Sequence, residues 1–299
     1  MLPVLISITQ SPASIRYQLR WTVGPLALQQ RGQGRHRNNY RFFSGLRPQN
    51  PHPRILLTLR ARNEGSGFTD QMKTERSDNP AILFDLDGTL IDSVYEHVSA
   101  WAASLRNAGI VVPNWKIHRR IGMNGESMVR QLLREPEINK RAVKVPRLEK
   151  KHDAAFKKAA SNIRLLPGTR ELLRYLSRAG IRWAIATTGN RKQTASLLKG
   201  LKVPEPSVVV TGDDVTKAKP SPDVFVLAAK RLNIPIENCI VVGDSPWDML
   251  AAGRRRALGV GVLTGGYSKG ELEESGAFRV YADPADILLH IEDLGIAGK

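Results

Sequence analysis

The feature that most constrains this chain is a regular alternation, from residue 80 onward, between short apolar runs and longer segments with a helical period. The runs are of strand length and nearly continuous, as expected for strands buried on both faces of a parallel sheet. They fall at residues 81–85, 182–187, 208–211, 239–243 and 260–263. The alternation predicts an α/β fold: a Rossmann-like parallel sheet with helices on both faces.

Helices are predicted between most of these strands. Residues 94–105 and 172–176 carry apolar side chains at helical spacing, with polar residues between them. Gly180 is placed to end the second of these helices. Ser221 followed by Pro222 predicts the first turn of another helix, with the serine as its N-cap.

The connection between the first two predicted strands is unusually long. Residues from about 112 to 165 are too many for an ordinary crossover helix, so we expect a small α-helical cap inserted after the first strand. The predicted domains are a core of residues 79–93 and 166–299 and a cap of residues 94–165.

The N-terminal part, residues 1–78, is predicted to be a disordered basic segment. Its first 59 residues contain arginine but neither lysine nor an acidic residue, and about half of the formal net charge of +17 lies in this tail. Three interpretations stay open: an organellar transit peptide, a basic tail for anionic partners, or an extension upstream of a true start at Met72. We expect a cytoplasmic protein, or an organellar one if the tail is a transit peptide.

Composition excludes several classes of protein. No apolar run approaches the roughly 18 residues that a membrane span needs, so no membrane partner is expected. A single cysteine, Cys239, rules out a disulfide framework and is interpreted as a buried structural thiol. Aromatic residues do not interleave with the basic ones, so we expect no nucleic-acid partner.

Two carboxylates, Asp85 and Asp87, end the first predicted strand within the heptad FDLDGTL. Residues two apart on a strand project to the same side, and Gly88 then allows the chain to turn away. An apolar strand that leads into Asp-x-Asp-Gly-Thr resembles the first motif of the haloacid dehalogenase-like superfamily, in its branch of phosphoglycolate phosphatases and β-phosphoglucomutases with a helical cap.

Three further motifs resemble those of the same superfamily. Thr187 and Thr188 end the second strand, before a helix that Asn190 can cap, and a helix N-terminus suits a phosphate. Lys219 follows the third strand, and the fourth strand ends in Gly-Asp-Ser-Pro-Trp-Asp, with Asp244 and Asp248 four residues apart. All four motifs lie at carboxyl ends of parallel strands, where ligands bind in open α/β sheets.

The resemblance implies a phosphoryl-transfer site. Asp85 is implied as the nucleophile, because an aspartate is ionised near neutral pH and needs no base. A divalent cation must offset its repulsion from the phosphate, which implies Mg²⁺ held by the Asp85 carboxylate, the Asp87 backbone carbonyl and Asp244. Asp248 is implied either as a ligand through water or as a support for the direct ligands.

The other roles also follow from the resemblance. Asp87 is implied as the general acid for the leaving oxygen and then as the base for the attacking water, with a pKa that nearby carboxylates raise. Thr187, Thr188 and Lys219 are implied as the groups that hold the transferring oxygens.

The predicted function is Mg²⁺-dependent hydrolysis of a small phosphate monoester, of the phosphoglycolate or sugar-phosphate type, through an aspartyl-phosphate. A β-phosphoglucomutase-like sugar-phosphate mutase is the main alternative, and a basic binding protein with an inert site is the non-enzymatic one. Phosphonate hydrolysis stays open because the cap is basic. A dehalogenase does not fit, because halide displacement needs no acid such as Asp87.

The expected partner is a small phosphorylated metabolite, and the chain is expected to be a monomer or a homodimer. Three histidines in or near the cap, His97, His118 and His152, are interpreted as surface or helix residues rather than substrate contacts.

Overall fold

The computed structural model describes residues 80–135, 138, 144–204, 206 and 208–296. The predicted disordered segment of residues 1–78, with its candidate start at Met72, lies outside these residues. Among the helices of the described part, none has the length and apolarity to cross a bilayer.

The strands of the described chain are β1 Ala81–Phe84, β2 Ile91–Asp92, β3 Arg164–Leu165, β4 Trp183–Ala186, β5 Val208–Val210, β6 Cys239–Gly243, β7 Leu258–Val262 and β8 Ala277–Tyr281. Six of them form one parallel sheet, in the order β5-β4-β1-β6-β7-β8. The first strand, which carries the Asp-x-Asp motif at its end, is central, with β4 and β6 on its two sides. Two short strands, β2 and β3, pair antiparallel elsewhere.

Helices connect the strands of the large sheet. Their bounds are α1 Val94–Arg106, α2 Asn114–His118, α3 Gly125–Leu132, α4 Val145–Ala159, α5 Thr169–Arg178, α6 Arg191–Gly200, α7 Asp223–Arg231, α8 Pro246–Gly253, α9 Lys269–Glu274 and α10 Pro284–Leu289. The predicted α/β class, a parallel sheet with helices, is confirmed.

The sheet is covered on both faces, as continuous apolar strands require. On β1, Ile82 and Phe84 face one hydrophobic cluster, whereas Ala81 and Leu83 face the other. The first cluster includes the buried leucines of α5, and the second includes Phe225 of α7. This alternation follows from the two-residue period of a strand, and it packs β1 against helices on both faces of the sheet.

Helices α1–α4 lie in the long connection after β1. They share a hydrophobic cluster of their own, which contains Val98, Leu105, Ile117, Val129 and Leu148. The two chain segments that enter and leave this region pair with each other as β2 and β3. This geometry is compatible with the predicted division into core and cap, which stays a prediction.

The local predictions are mostly confirmed. Cys239 is buried, and Gly180 adopts the left-handed conformation, with φ of 69°, just after α5. The helix after Ser221 begins one position later than expected, with Pro222 at its N-cap, while Ser221 Oγ donates to Asp223 Oδ1 at 2.7 Å. Strand β8 was not predicted, because its side chains are half exposed and its apolar run is interrupted by Arg279.

Candidate active site

The polar residues at the strand ends meet at one edge of the sheet. Asp85 directly follows β1, Thr187 follows β4 and Asp244 follows β6. The backbone N–H of Asp85 donates to the carbonyl of Val242 at 2.9 Å, so the motif begins while the chain is still paired with its neighbour. Parallel pairing of these strands therefore gathers three sequence-distant motifs, as the sequence predicted.

Asp85 and Asp244 form a buried group with two further side chains from the predicted motifs. We call this group the Lys219 cluster; its members are Lys219, Asp85, Asp244 and Asp248. Lys219 Nζ lies 2.6 Å from Asp85 Oδ1 and 2.8 Å from Asp248 Oδ1. Burial would lower the pKa of Lys219, but the two carboxylates outweigh it and raise the pKa, so the ammonium stays charged. The cluster therefore contains three carboxylates and one cation, which pairs with two of them.

The acidic members of the Lys219 cluster suit a hard cation. Asp85, Asp244 and Asp248 offer oxygens that all lie within 4.8 Å of one another. Burial raises the pKa of Asp85 to about 7 in spite of Lys219, and burial together with Asp248 and Asp85 raises the pKa of Asp244. A dry, oxygen-only group with excess negative charge fits Mg²⁺, which takes few protein ligands and keeps waters.

The surroundings of Asp244 show how closely this group is enclosed. Thr89 Oγ1 donates to Asp244 Oδ1 at 3.2 Å. Gly88 has a φ of +79°, and a Cβ atom there would come within 2.5 Å of Asp244 Oδ2. Any other residue at position 88 would be strained and would collide with the carboxylate, so glycine is required at this turn.

Asp248 has two structural functions, one for each oxygen. Its Oδ2 accepts hydrogen bonds from the backbone N–H of Ser245 at 3.2 Å and from Ser245 Oγ at 2.5 Å, which closes a capping box at the start of α8. Its Oδ1 faces Lys219. Asp248 also lies within the group of three carboxylates that could hold a cation. Whether it binds a metal through water or supports the direct ligands stays a prediction.

Asp87 has its hydrogen-bond partners outside the Lys219 cluster. Its Oδ1 accepts a hydrogen bond from Ser93 Oγ at 2.6 Å and lies 3.1 Å from His97 Nε2. Burial alone would raise its pKa, but the charge and hydrogen bond of His97, with that of Ser93, lower the pKa. The expectation of a raised pKa was wrong for the free protein, because the nearest groups are donors rather than carboxylates.

His97 begins a chain of contacts, which we call the His97 chain: Asp87, His97, His152 and Asp153. His97 Nδ1 lies 3.0 Å from His152 Nε2, and His152 Nδ1 lies 3.0 Å from Asp153 Oδ1. The His97 ring stacks on Phe156 with centroids 3.9 Å apart. Burial lowers the pKa of His152. His97 and His152 are helix residues, as interpreted, and both line the cavity described below. That they do not contact the substrate stays a prediction.

A sequence signal for these histidines exists in retrospect. His97 lies four residues before Trp101 on α1, and His152 lies four residues before Phe156 on α4, so each shares the buried face of its helix. The Trp101 and His152 rings also stack, with centroids 4.3 Å apart. The third histidine, His118, contacts the core instead, with Nε2 2.8 Å from the carbonyl oxygen of Gly265.

The predicted phosphate-binding threonines lie between the end of β4 and the start of α6. Thr187 Oγ1 accepts a hydrogen bond from the backbone N–H of Gly189 at 3.0 Å and lies 3.4 Å from Asp87 Oδ2. Asn190 caps α6 through its side chain, as expected. Thr188 Oγ1 donates to the carbonyl of Gly122 at 3.2 Å, which joins the strand end to the inserted region. Their phosphate-binding function stays a prediction.

A cavity of about 260 Å³ opens above these groups. Asp85, Asp87 and Thr187 line its floor, while residues of α1, α3 and α4, including Trp101 and His152, line the opposite side. The cavity is therefore a small chamber between the sheet edge and the inserted helices, of a size suited to a small metabolite.

Comparison with known proteins agrees with this geometry. A family model described as haloacid dehalogenase-like hydrolase matches residues 80–254, and a second hydrolase-like model matches residues 216–294. Hexitol phosphatase A of Escherichia coli K12 is 34% identical over 170 residues, which are 57% of this chain and 76% of that protein. Phosphoglycolate phosphatase of Pectobacterium atrosepticum is 32% identical, over 69% of this chain and 90% of that protein.

Solved structures give the same result. The crystal structure of a hydrolase from Pseudomonas syringae is 45% identical, with a TM-score of 0.68, and the match covers 72% of this chain and 98% of that one. These matches confirm the predicted resemblance to the haloacid dehalogenase-like superfamily and the predicted hydrolase class. The chain belongs to the haloacid dehalogenase-like hydrolase family.

Proposed function

We propose that this chain is a Mg²⁺-dependent phosphatase, which hydrolyses a small phosphate monoester of the phosphoglycolate or sugar-phosphate type through an aspartyl-phosphate on Asp85. The observation that carries the proposal is the Lys219 cluster, in which the carboxylate of Asp85 lies at a strand end beside a buried ammonium and two further carboxylates. The relatives named as phosphoglycolate phosphatase and hexitol phosphatase support this substrate range.

The first step is attack of an Asp85 oxygen on phosphorus, with cleavage of the bond to the leaving oxygen. Lys219 holds Asp85 at 2.6 Å and offsets negative charge as the transferring oxygens approach. Thr187, Thr188 and the N-terminus of α6 bind those oxygens. When bound by Asp85, Asp244 and the Asp87 carbonyl, with Asp248 beside them, Mg²⁺ supplies the positive charge that lets a carboxylate approach a phosphate.

Asp87 donates a proton to the leaving oxygen and later accepts one from water. The incoming phosphate adds negative charge beside Asp87, which raises its pKa and favours the protonated acid that the leaving oxygen needs. His97 Nε2, at 3.1 Å, supplies a hydrogen bond that orients the carboxyl. After the leaving group has taken that proton, Asp87 accepts one from water as the water attacks phosphorus. The bond between phosphorus and the Asp85 oxygen breaks, and inorganic phosphate leaves a free Asp85 carboxylate.

A sugar-phosphate mutase uses the same aspartates but must also bind a bisphosphate, so it needs a cationic site for the second phosphate. Among the described residues that line the cavity, none is lysine or arginine. This charge distribution favours hydrolysis. Incubation with β-glucose 1-phosphate checks the point: glucose 6-phosphate as the main product, rather than inorganic phosphate, would overturn the hydrolase.

The proposed function is tested with 4-nitrophenyl phosphate and the full chain. We expect turnover that requires Mg²⁺, that falls at least ~10⁴-fold in Asp85→Asn, and that falls strongly in Asp244→Asn. Glu237→Gln is the matched control, because this exposed carboxylate lies outside the cavity. Turnover that survives in Asp85→Asn, or that is indifferent to EDTA, contradicts the proposal; so does salt-sensitive nucleic-acid binding without any turnover.

A further inference from the structure

Part of the cavity wall carries negative charge in addition to that of Asp85 and Asp87. Three carboxylates line it besides the two of the motif: Glu149 and Asp153 on α4, and Asp213 after β5. None of the described lining residues is lysine or arginine, although the chain as a whole has a formal net charge of +17. The cavity is thus an acidic chamber in a basic protein.

Glu149 is the carboxylate least compensated by its surroundings. Its pKa is raised, first by burial and then by the negative charges of Glu126 and Asp153. Within the described residues it has no ion pair, and a backbone hydrogen bond from Glu126 is its stabilising contact. A partly buried carboxylate in this state gains most from a ligand that donates hydrogen bonds and loses most beside an anion.

The other two carboxylates are fixed by neutral donors. Asp213 Oδ2 accepts a hydrogen bond from the backbone N–H of Arg191 at 2.8 Å. Asp153 Oδ2 accepts one from Asn190 Nδ2 at 3.3 Å, while its Oδ1 faces His152, whose pKa is lowered by burial. These contacts orient the carboxylates without cancelling their charge, so the wall repels anions.

Other lining groups are amide and apolar. Asn190 and Gln193 add amide groups, and Trp101, Met123 and Met128 add apolar surface. Carboxylate and amide oxygens are acceptors, so they match hydroxyl donors, and an aromatic ring such as that of Trp101 matches the apolar face of a carbon chain. A polyhydroxylated, uncharged carbon skeleton satisfies all of these groups at once.

We propose that this acidic wall selects a monophosphate whose remaining part is uncharged and rich in hydroxyl groups, a small sugar or sugar-alcohol monophosphate, and discriminates against carboxylate-bearing and bisphosphate substrates. The proposal rests on the proposed phosphatase function and narrows its substrate class. Attraction of the single phosphate is left to Lys219, the cation site and α6, whereas discrimination comes from repulsion of any second anion.

The test compares three substrates on the full chain with Mg²⁺: D-glucitol 6-phosphate, phosphoglycolate and fructose 1,6-bisphosphate. We expect kcat/KM for D-glucitol 6-phosphate to exceed that for each of the other two by at least ~10-fold, because a second anion would lie against the like charges of Glu149, Asp153 and Asp213. An equal or lower value than that for phosphoglycolate overturns the inference. Turnover of 4-nitrophenyl phosphate distinguishes failure of the phosphatase function from failure of the proposed substrate selection. If this substrate is not hydrolysed, the phosphatase function itself is contradicted.

A variant identifies the wall as the cause. Glu149→Gln keeps the shape and hydrogen-bonding capacity but removes the charge, so the ratio of kcat/KM for D-glucitol 6-phosphate to that for phosphoglycolate should fall at least ~3-fold, chiefly through a gain on phosphoglycolate. Glu237→Gln removes an exposed charge outside the cavity and should leave the ratio unchanged. The ratio is internal to one preparation, so partial misfolding does not affect it; an unchanged ratio in Glu149→Gln overturns the inference.

Discussion

Two carboxylates only two residues apart, Asp85 and Asp87, have opposite surroundings. Asp85 belongs to the Lys219 cluster, which the core strands and their loops build from three carboxylates and one ammonium. Asp87 belongs to the His97 chain, in which hydroxyl and imidazole groups of α1 and α4 hold the carboxyl. The difference teaches that the two halves of one motif depend on different parts of the protein.

The two environments also differ in charge. The pKa of Asp85 is raised to about 7 because burial and the nearby carboxylates outweigh Lys219, so this group is short of positive charge. The pKa of Asp87 is lowered because His97 and Ser93 outweigh its burial. The proposed nucleophile therefore depends on a further cation, whereas the proposed acid and base depends on the position of α1 and α4.

The largest effect is expected from breaking the Lys219 cluster. Lys219→Met leaves Asp85 and Asp248 buried without their cation, so we expect the free energy of unfolding to fall by about 3–5 kcal/mol. Turnover of 4-nitrophenyl phosphate should fall at least ~10³-fold. Chemical denaturation and steady-state kinetics measure the two effects. Lys217→Met, two residues away and exposed, should change neither; equal behaviour of the two variants would show that Lys219 has no special role.

A smaller and more selective effect is expected from breaking the His97 chain. His97→Asn removes the ring that orients Asp87, so we expect kcat to fall ~10–100-fold on an alkyl phosphate, whose leaving oxygen needs a proton. The loss should be smaller on 4-nitrophenyl phosphate, because nitrophenolate leaves without one. A merely structural role would lower both rates equally. The control His290→Asn, at an exposed histidine remote from the cavity, should show no such split.

The smallest effect is expected where the inserted region meets the core through an ion pair. Arg119 donates to Glu271, and this hydrogen bond lowers the pKa of Glu271 to about 2. The side chain of Arg119 is 40% exposed and that of Glu271 is 35% exposed. Solvent weakens an ion pair that is this exposed, so we expect Glu271→Gln to lower the free energy of unfolding by less than ~1 kcal/mol. Glu273→Gln on the same helix provides the comparison.

The pH dependence of this pair follows from the direction of the shift. Because the pKa of Glu271 is lower in the folded state than its ordinary value of 4.5, its stabilisation is complete above about pH 4.5 and is lost as the pH falls towards 2. The difference between wild type and Glu271→Gln in denaturation should therefore shrink over that window. A difference that stays constant between pH 6 and pH 3 would contradict this origin.

The sequence predicted that Asp85, Lys219 and Asp244 meet at the sheet edge, because the information for this is local. Asp85, Lys219 and Asp244 each follow an apolar strand, and parallel pairing then brings them together without further information. Strand β8 was missed because an edge strand needs only a few buried positions, and Arg279 interrupts its pattern. The fold class was predictable for the same reason as the site.

The cap side was harder to predict because its contacts are tertiary. His97 and His152 are 55 residues apart in sequence, and their contact depends on how α1 packs against α4. The direction of the Asp87 pKa was wrong because it depends on that packing and not on the Asp-x-Asp motif. Glu149 and Asp213 line one cavity only after α4 and the β5 loop have been placed.

The most direct test of the account is a rapid-quench experiment on Asp87→Asn with ³²P-labelled 4-nitrophenyl phosphate and Mg²⁺. This leaving group departs without an acid, whereas the second step lacks its base, so the phosphorylated enzyme should accumulate. We predict a burst of about one equivalent of nitrophenolate, and label on the peptide that contains Asp85. Absence of a burst, or label on any other residue, would contradict the claim that Asp85 carries the phosphoryl group.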